Sequence, residues 1–215
     1  MTPPSDDQNT APAPAPAPAP ASGGAKSRKG PTRSEVSKAA ILEAAREEMA
    51  ENGWRGFSVD SVAKRASASK QTIYRWWPSI GAMCVDAALA LIPDAPEGGR
   101  DPQERITALI IPLEAAARTG HGHAVLRVAL LAAADDKDAG EVWRAWVGRD
   151  IRQPLRMVLA ELAAKRVIRR DFELDDVLEQ LLGPIFHRLT ISRAPVKEGF
   201  CSEQVQAFLR TNGAL

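Results

Sequence analysis

Apolar positions recur at helical spacing along most of the chain, and nowhere do they alternate with polar ones at period two. Ile41, Ala45 and Met49 recur every four residues, with Leu42 beside them and charged residues on the opposite face. This spacing predicts a helix from Ser34 to about Asn52, with Gly53 supplying a left-handed stop. The same reading predicts helices at about 58–66, 70–77, 79–92, 102–119, 122–134, 139–165, 174–193 and 202–211. Pro78, Pro93, Pro96, Pro102 and Pro195 fall between them. Pro112, Pro154 and Pro184 fall inside predicted helices and should kink or split them, because proline lacks an N–H and its ring crowds the preceding turn. The fold class is all-α.

Within this pattern the stretch from Ser58 to Trp77 is the most specific. Ser58 can cap a short helix whose apolar residues Val59, Val62, Ala63 and Ala66 share one face. The triplet Ser67-Ala68-Ser69 breaks it, and Ser69 can cap a second helix starting at Lys70. In that helix Ile73 and Trp77 lie four apart and turn inward, which leaves Lys70, Gln71, Thr72, Tyr74 and Arg75 mostly outward. Two helices joined by so short a turn cross steeply only over a small residue, and Ala63 stands at that point. This is the layout of a helix-turn-helix, whose second helix enters the major groove of DNA. Gln and Lys side chains suit base edges, whereas Ser, Thr, Tyr and Arg suit phosphate oxygens. The bland reading, two bundle helices with a wet polar face, explains neither the short turn nor the order of donors.

Charge sharpens this picture. The chain of 215 residues carries a formal net charge of only +1, but residues 25–78 hold eleven Lys/Arg against six acids, a local excess of +5. Residues 79–215 carry −2 and the first 24 carry −2, so the positive charge is concentrated at one place, where phosphates would be attracted. Residues 1–33 read as a tail followed by an arm: Ala-Pro repeated five times from Ala11 to Pro20 forms a stiff polyproline-type leader, and Lys26 to Arg33 is basic. The arm is either a solvated linker or a strand of charge lying along DNA, with Arg33 as its contact residue. The expected organisation is therefore the tail and arm at 1–33, a three-helix helix-turn-helix domain at 34–78, and a larger helical domain at 79–215.

Ser34 to Met83 resembles the DNA-binding domain of the TetR (tetracycline-repressor-like) regulators. The resemblance rests on Ile41-Leu42 and Ala45, on Asn52-Gly53 followed by Phe57-Ser58, on Val62-Ala63, and above all on the run from Ala66 through Ile73-Tyr74 to Trp77-Pro78-Ser79. It implies a homodimeric transcriptional regulator that binds double-stranded operator DNA. It also implies about six further helices that hold a small effector and form the dimer. Three positions depart from the family's pattern. Ser67 replaces the usual turn glycine, at a cost of ~1 kcal/mol if it is left-handed. Trp77 stands where Phe is common, and Ile80 stands where a phosphate-contacting Lys is expected. The expected DNA contacts are Arg33, Ser58, Ser69, Lys70, Gln71, Thr72, Tyr74, Arg75 and Trp76. Of these, Trp76 has two readings, packing on the first helix or facing DNA.

The body offers fewer signals. The apolar face Val177, Leu178, Leu181, Leu182, Ile185, Phe186 and Leu189 is wide, and reads either as a central core helix or as a dimer interface shared with the helix ending near Lys165. Leu113, Leu130, Trp143, Trp146, Met157 and Phe186 are candidate lining residues for an effector pocket. His121 and His123, separated by one glycine, read as a loop between helices, since a metal site would need a third ligand. Neither metal nor cofactor is expected. Two distant cysteines, Cys84 and Cys201, form no disulfide framework, and no apolar run reaches the ~20 residues that span a bilayer, so a cytoplasmic, membrane-free protein is expected. Two function classes remain: a repressor released by a small apolar or amphipathic effector, or an architectural DNA binder with no effector. An enzyme is not expected, because no nucleophile–base motif or phosphate loop is present.

Overall fold

A computed structural model describes residues 33–169 and 171–213, and every regular element among them is helical. The Ala-Pro tail and the basic arm up to Thr32 lie outside the described residues, as does the side chain of Arg33. The first three helices are α1 (Arg33–Gly56), α2 (Val59–Arg65) and α3 (Lys70–Trp76). Helix α1 is broken at Gly53, whose φ of 65° and ψ of −175° are open to glycine and strained for any other residue.

Helix α4 (Ile80–Leu89) is buried on nearly all sides. It lies against α1, against α6 (Gly120–Asp135) and against α7 (Lys137–Trp146), so one apolar core runs without a gap from the first three helices into the body. A helix of small and apolar residues all round has no outward face to present, and it therefore becomes the centre of the packing. Its close approach to α7 depends on Gly81: a Cβ there would stand 2.8 Å from the Asp136 side chain. In the space so kept, the Ser79 hydroxyl donates to Asp136 Oδ1 at 2.8 Å, and the same oxygen caps α7 by accepting from the Ala139 N–H at 2.8 Å.

The remaining elements are α5 (Pro102–Ala117), α8 (Gln153–Ala164), α9 (Leu174–His187) and α10 (Phe200–Asn212), with π-helical turns at Val147–Arg152 and Arg188–Ser192. The three internal prolines act differently from one another. Helix α5 runs through Pro112 unsplit. Pro154 follows a π turn in which the Gln153 N–H reaches the Gly148 carbonyl, and this wider turn makes room for the ring. Helix α9 runs through Pro184 and widens into the second π turn.

Glu114 on α5, only 2% exposed, accepts from the Gly199 and Cys201 N–H groups at 2.8 Å each. A buried carboxylate thus satisfies the start of α10, where no N-cap side chain does so. Cys84 on α4 and Cys201 on α10 are free and buried, and loss of hydration pushes both thiols up to about 12. The His pair corrects an expectation. His121 and His123 stand on the first turn of α6, not in a loop, because Thr119 caps that helix and accepts from the Gly122 N–H at 2.9 Å.

Candidate nucleic-acid interface

The turn between α2 and α3 is built entirely by local residues. Ser58 caps α2 and Ser69 caps α3, the latter accepting from the Thr72 N–H at 3.1 Å. Helix α2 ends in a left-handed stop: Ser67 has φ 49°, its N–H reaches the Lys64 carbonyl at 3.3 Å, and the Ala68 N–H reaches the Ala63 carbonyl at 2.9 Å. Ser67 therefore does adopt the conformation that glycine favours. Ile73 and Trp77 are buried, and Ala63 is buried at the crossing. On the opposite side Lys70, Gln71, Tyr74, Arg75 and Trp76 are exposed, with Thr72 half-buried.

The local charge excess is smaller in effect than its count suggests. Arg65 does not face outward as a free cation. Its guanidinium bonds Glu51 and reaches Glu47 at 3.1 Å, which ties α2 to α1. Beneath it Glu48, buried on α1, accepts from the Ser61 hydroxyl at 2.5 Å and from Asn52 Nδ2 at 3.0 Å. Arg46 is turned inward to Glu43 and to the Ala87 carbonyl. Lys70 pairs with Asp60 at 2.5 Å, and this carboxylate raises the ammonium above the usual lysine range. Arg75 makes no ion pair among the described residues, so it is the cation of α3 best placed to meet a phosphate.

Trp76 is the residue with two readings, packing on the first helix or facing DNA. It is exposed, yet the Lys38 ammonium of α1 lies 5.8 Å from its ring centre and 5.5 Å from that of Trp77. Trp77 Nε1 donates to Asp86 Oδ2 at 2.9 Å, and Lys38 pairs with the same oxygen at 3.0 Å. One carboxylate on α4 thus holds both the end of α3 and the start of α1. Ile80, where a phosphate-contacting lysine would stand in the family's pattern, opens α4 and packs half-buried on the core.

Against this geometry the comparisons with known proteins are consistent. The profile for bacterial regulatory proteins of the tetR family matches residues 41–92, and that for the tetracyclin repressor-like C-terminal domain matches residues 98–208. The chain belongs to the TetR family. A relative in Bacillus subtilis (strain 168), the uncharacterized HTH-type transcriptional regulator YdeS, is 28% identical over 184 residues, covering 84% of this chain and 91% of its own. The TetR family transcription regulator SCO0332 is similar in structure, with a TM-score of 0.56 and 27% identity over 82% of this chain and 98% of its own. At the level of fold alone, the TetR regulator TylP from Streptomyces fradiae has a TM-score of 0.57 at 18% identity, covering 86% of this chain and 89% of its own. This TetR-family chain is thus a DNA-binding transcriptional regulator and not an enzyme. No helix among the described residues is long and apolar enough to cross a membrane.

In the body of this TetR-family regulator the expected sites are redistributed. Val177, Leu178, Leu181, Leu182, Ile185 and Leu189 are each 9% exposed or less, facing the core of their own protomer. They are not a surface that a second subunit could cover, because α5 and α10 already cover the face they occupy. Phe186, half-buried, meets Trp143 edge-on with ring centres 5.9 Å apart, and Trp143 lies 5.3 Å from Trp146. Of the six expected pocket residues, Leu113 and Trp146 line a cavity of about 540 Å³, while Leu130 packs on the core. Met157 is a correction: it is 68% exposed on α8 and does not line this cavity, since its helix turns Leu155, Val158 and Leu159 inward instead. The residues that sequence reasoning missed, Glu48, Arg65 and Asp86, are charged groups on otherwise amphipathic or apolar helices. Asp86, alone among the apolar residues of α4, was the one visible signal.

Proposed function

We propose that this chain is a homodimeric repressor that holds its operator through α3 and leaves it when a small apolar or amphipathic molecule occupies the helical body. The observation that carries the reading is the two-sided build of α3. Ile73 and Trp77 anchor it, and Gln71, Tyr74 and Arg75 stand exposed beside the half-buried Thr72. Gln71 and Thr72 on the first turn read bases, Tyr74 and Arg75 hold phosphates, and Lys70 joins them once a phosphate replaces Asp60. Trp76 lies at the edge of the same face, and the caps Ser58 and Ser69 keep hydroxyl lone pairs for backbone phosphates. Arg33 would extend the contact from the start of α1. Such a regulator works in the cytoplasm, beside the chromosome it reads.

In this reading a second subunit covers the outward sides of α8 and α9, and not the buried face of α9. Met157 on α8 and Ile191 in the π turn after α9, 68% and 73% exposed, are the large apolar side chains that a partner would cover there. A two-fold dimer sets two recognition helices about one turn of DNA apart, roughly 34–36 Å. A pocket in the body, half open to solvent and walled in part by Leu109, Leu113 and Trp146, supports effector control over the architectural alternative.

Selection of genomic fragments by the full chain, followed by titration of the best fragment and a scrambled one across a salt series, tests this reading. The expected result is a sequence preference and a steep loss of affinity with salt, since the cations of α3 release counterions. Weak binding that is equal for both fragments at every salt concentration would overturn it.

A further inference from the structure

The cavity of about 540 Å³ lies between the C-terminal half of α4, the segment after it, α5 and the junction of α7 with its π turn. Leu109, Leu113 and Trp146 form its apolar wall. Its charged groups are Asp86, Asp94, Asp150 and Arg149, three carboxylates against one guanidinium. Arg149 is already committed to Asp150 at 2.6 Å. Asp94 makes no ion pair among the described residues, and both described bonds to Asp86 fall on a single oxygen, Oδ2. With Lys38 set against Asp86 and Arg149 against Asp150, the cavity keeps an excess of one carboxylate, Asp94, beside an aromatic and aliphatic wall.

The geometry points to an organic cation with an apolar body as the ligand, and to Asp86 as the group through which it acts on DNA binding. This rests on the reading of the chain as an operator binder controlled by an effector. The apolar wall takes the body of the molecule, and it includes Trp146, an indole of the kind that attracts a positive charge. The charge itself is met by Asp94 at the rim and Asp86 further in.

Asp86 is the carboxylate that accepts from Trp77 Nε1 and pairs with Lys38. A cation beside it repels the Lys38 ammonium and competes for the carboxylate. Lys38 also lies near the rings of Trp76 and Trp77, so its withdrawal loosens the C-terminal end of the recognition helix from two sides. The other end of α4 is held by the Ser79–Asp136 hydrogen bond and the close approach at Gly81. The disturbance therefore falls on the joint with α3 and not on the joint with α7. Asp86 is a positioning residue for DNA binding and a contact residue for the ligand, and the two roles exclude each other. A ligand shifts the equilibrium only by its differential affinity for the two states, and this competition supplies that difference.

Tetraphenylphosphonium and tetraphenylborate, nearly equal in shape and opposite in charge, test the assignment on the full chain. Binding is read by tryptophan fluorescence, and its consequence by affinity for the fragment selected above. The phosphonium is expected to bind at least about tenfold more tightly than the borate. It should also weaken the complex with the fragment by about tenfold. Asp94→Asn should weaken phosphonium binding several-fold. Asp86→Asn should lower fragment affinity without any ligand and abolish the phosphonium response, and Asp86→Glu should restore the response. Melting curves accompany each variant, and if Asp86→Asn unfolds early, the charge preference and Asp94→Asn still decide the ligand class.

Equal binding of the two probes, no phosphonium binding up to millimolar concentration, or a wild-type phosphonium response in Asp86→Asn each overturns the proposal. If the wild type binds phosphonium with the stated preference but holds no fragment selectively, the operator reading has failed and the ligand class stands.

Discussion

Helices α3 and α9 are both two-sided, and each offers one side that reads as a binding surface. In α3 that side is polar, and the structure leaves it exposed. In α9 it is apolar, and the structure buries Val177, Leu181, Leu182 and Ile185 within the same protomer. The difference teaches where sequence patterns carry information. A row of Gln, Thr, Tyr and Arg side chains has few uses inside a protein, so its outward placement follows from the cost of burying polar groups. A row of leucines is satisfied by any apolar neighbour, from its own chain or another, and the pattern does not say which.

The largest effect that can sharpen this contrast is at Leu182. Leu182→Glu should cost the protomer on the order of 4 kcal/mol, because the new carboxylate would be buried without a partner. Met157→Glu on the outward side of α8 should change folding stability by less than about 0.5 kcal/mol while yielding monomers in sedimentation. Melting and sedimentation of both variants decide it. A Leu182→Glu protein that melts like the wild type but sediments as a monomer would return the interface to the buried face.

Within α3 the next effect separates reading from holding. Gln71→Ala should cost ~1–3 kcal/mol on the best fragment and little on scrambled DNA. Arg75→Ala should weaken both alike and flatten the salt dependence by about one unit. The opposite pattern in the titrations would mean that the two roles are reversed.

Smaller effects lie at the edges of the helix-turn-helix. Ser67→Gly removes a left-handed strain and should raise stability by about 1 kcal/mol in a thermal melt. Asp60→Asn frees Lys70 from its exposed ion pair, and the expected gain in affinity for scrambled DNA is about twofold, largest at low salt. A loss of affinity instead would mean that Asp60 positions Lys70 and does not compete for it.

The front of the molecule was legible because its constraints are local. The caps Ser58 and Ser69, the left-handed Ser67, the small Ala63 and the inward pair Ile73 and Trp77 lie within twenty residues, and each works through its nearest neighbours. What stayed hidden joins distant positions. Glu48 meets Ser61, Lys38 meets Asp86, and Glu114 meets Gly199, and no spacing rule connects such pairs. For the same reason the count of basic residues overstated the free charge, since it could not show that Arg65 is spent on α1. The two π turns were also invisible: a break was expected at all three internal prolines, yet only Pro154 adjoins one, and α5 and α9 run through Pro112 and Pro184 unsplit.

The two buried thiols give this molecule a built-in clock. Burial pushes each thiol up to about 12 and shields it from solvent, so an alkylating reagent must wait for the chain to open. Cys84 lies in the joint between the reading helices and the body, and Cys201 lies beside the Glu114 cap on α10. Their labelling rates therefore time two separate openings in one sample. DNA that steadies α4 would slow the first and leave the second running, which makes the rate ratio a record of which part of the protein has been stilled.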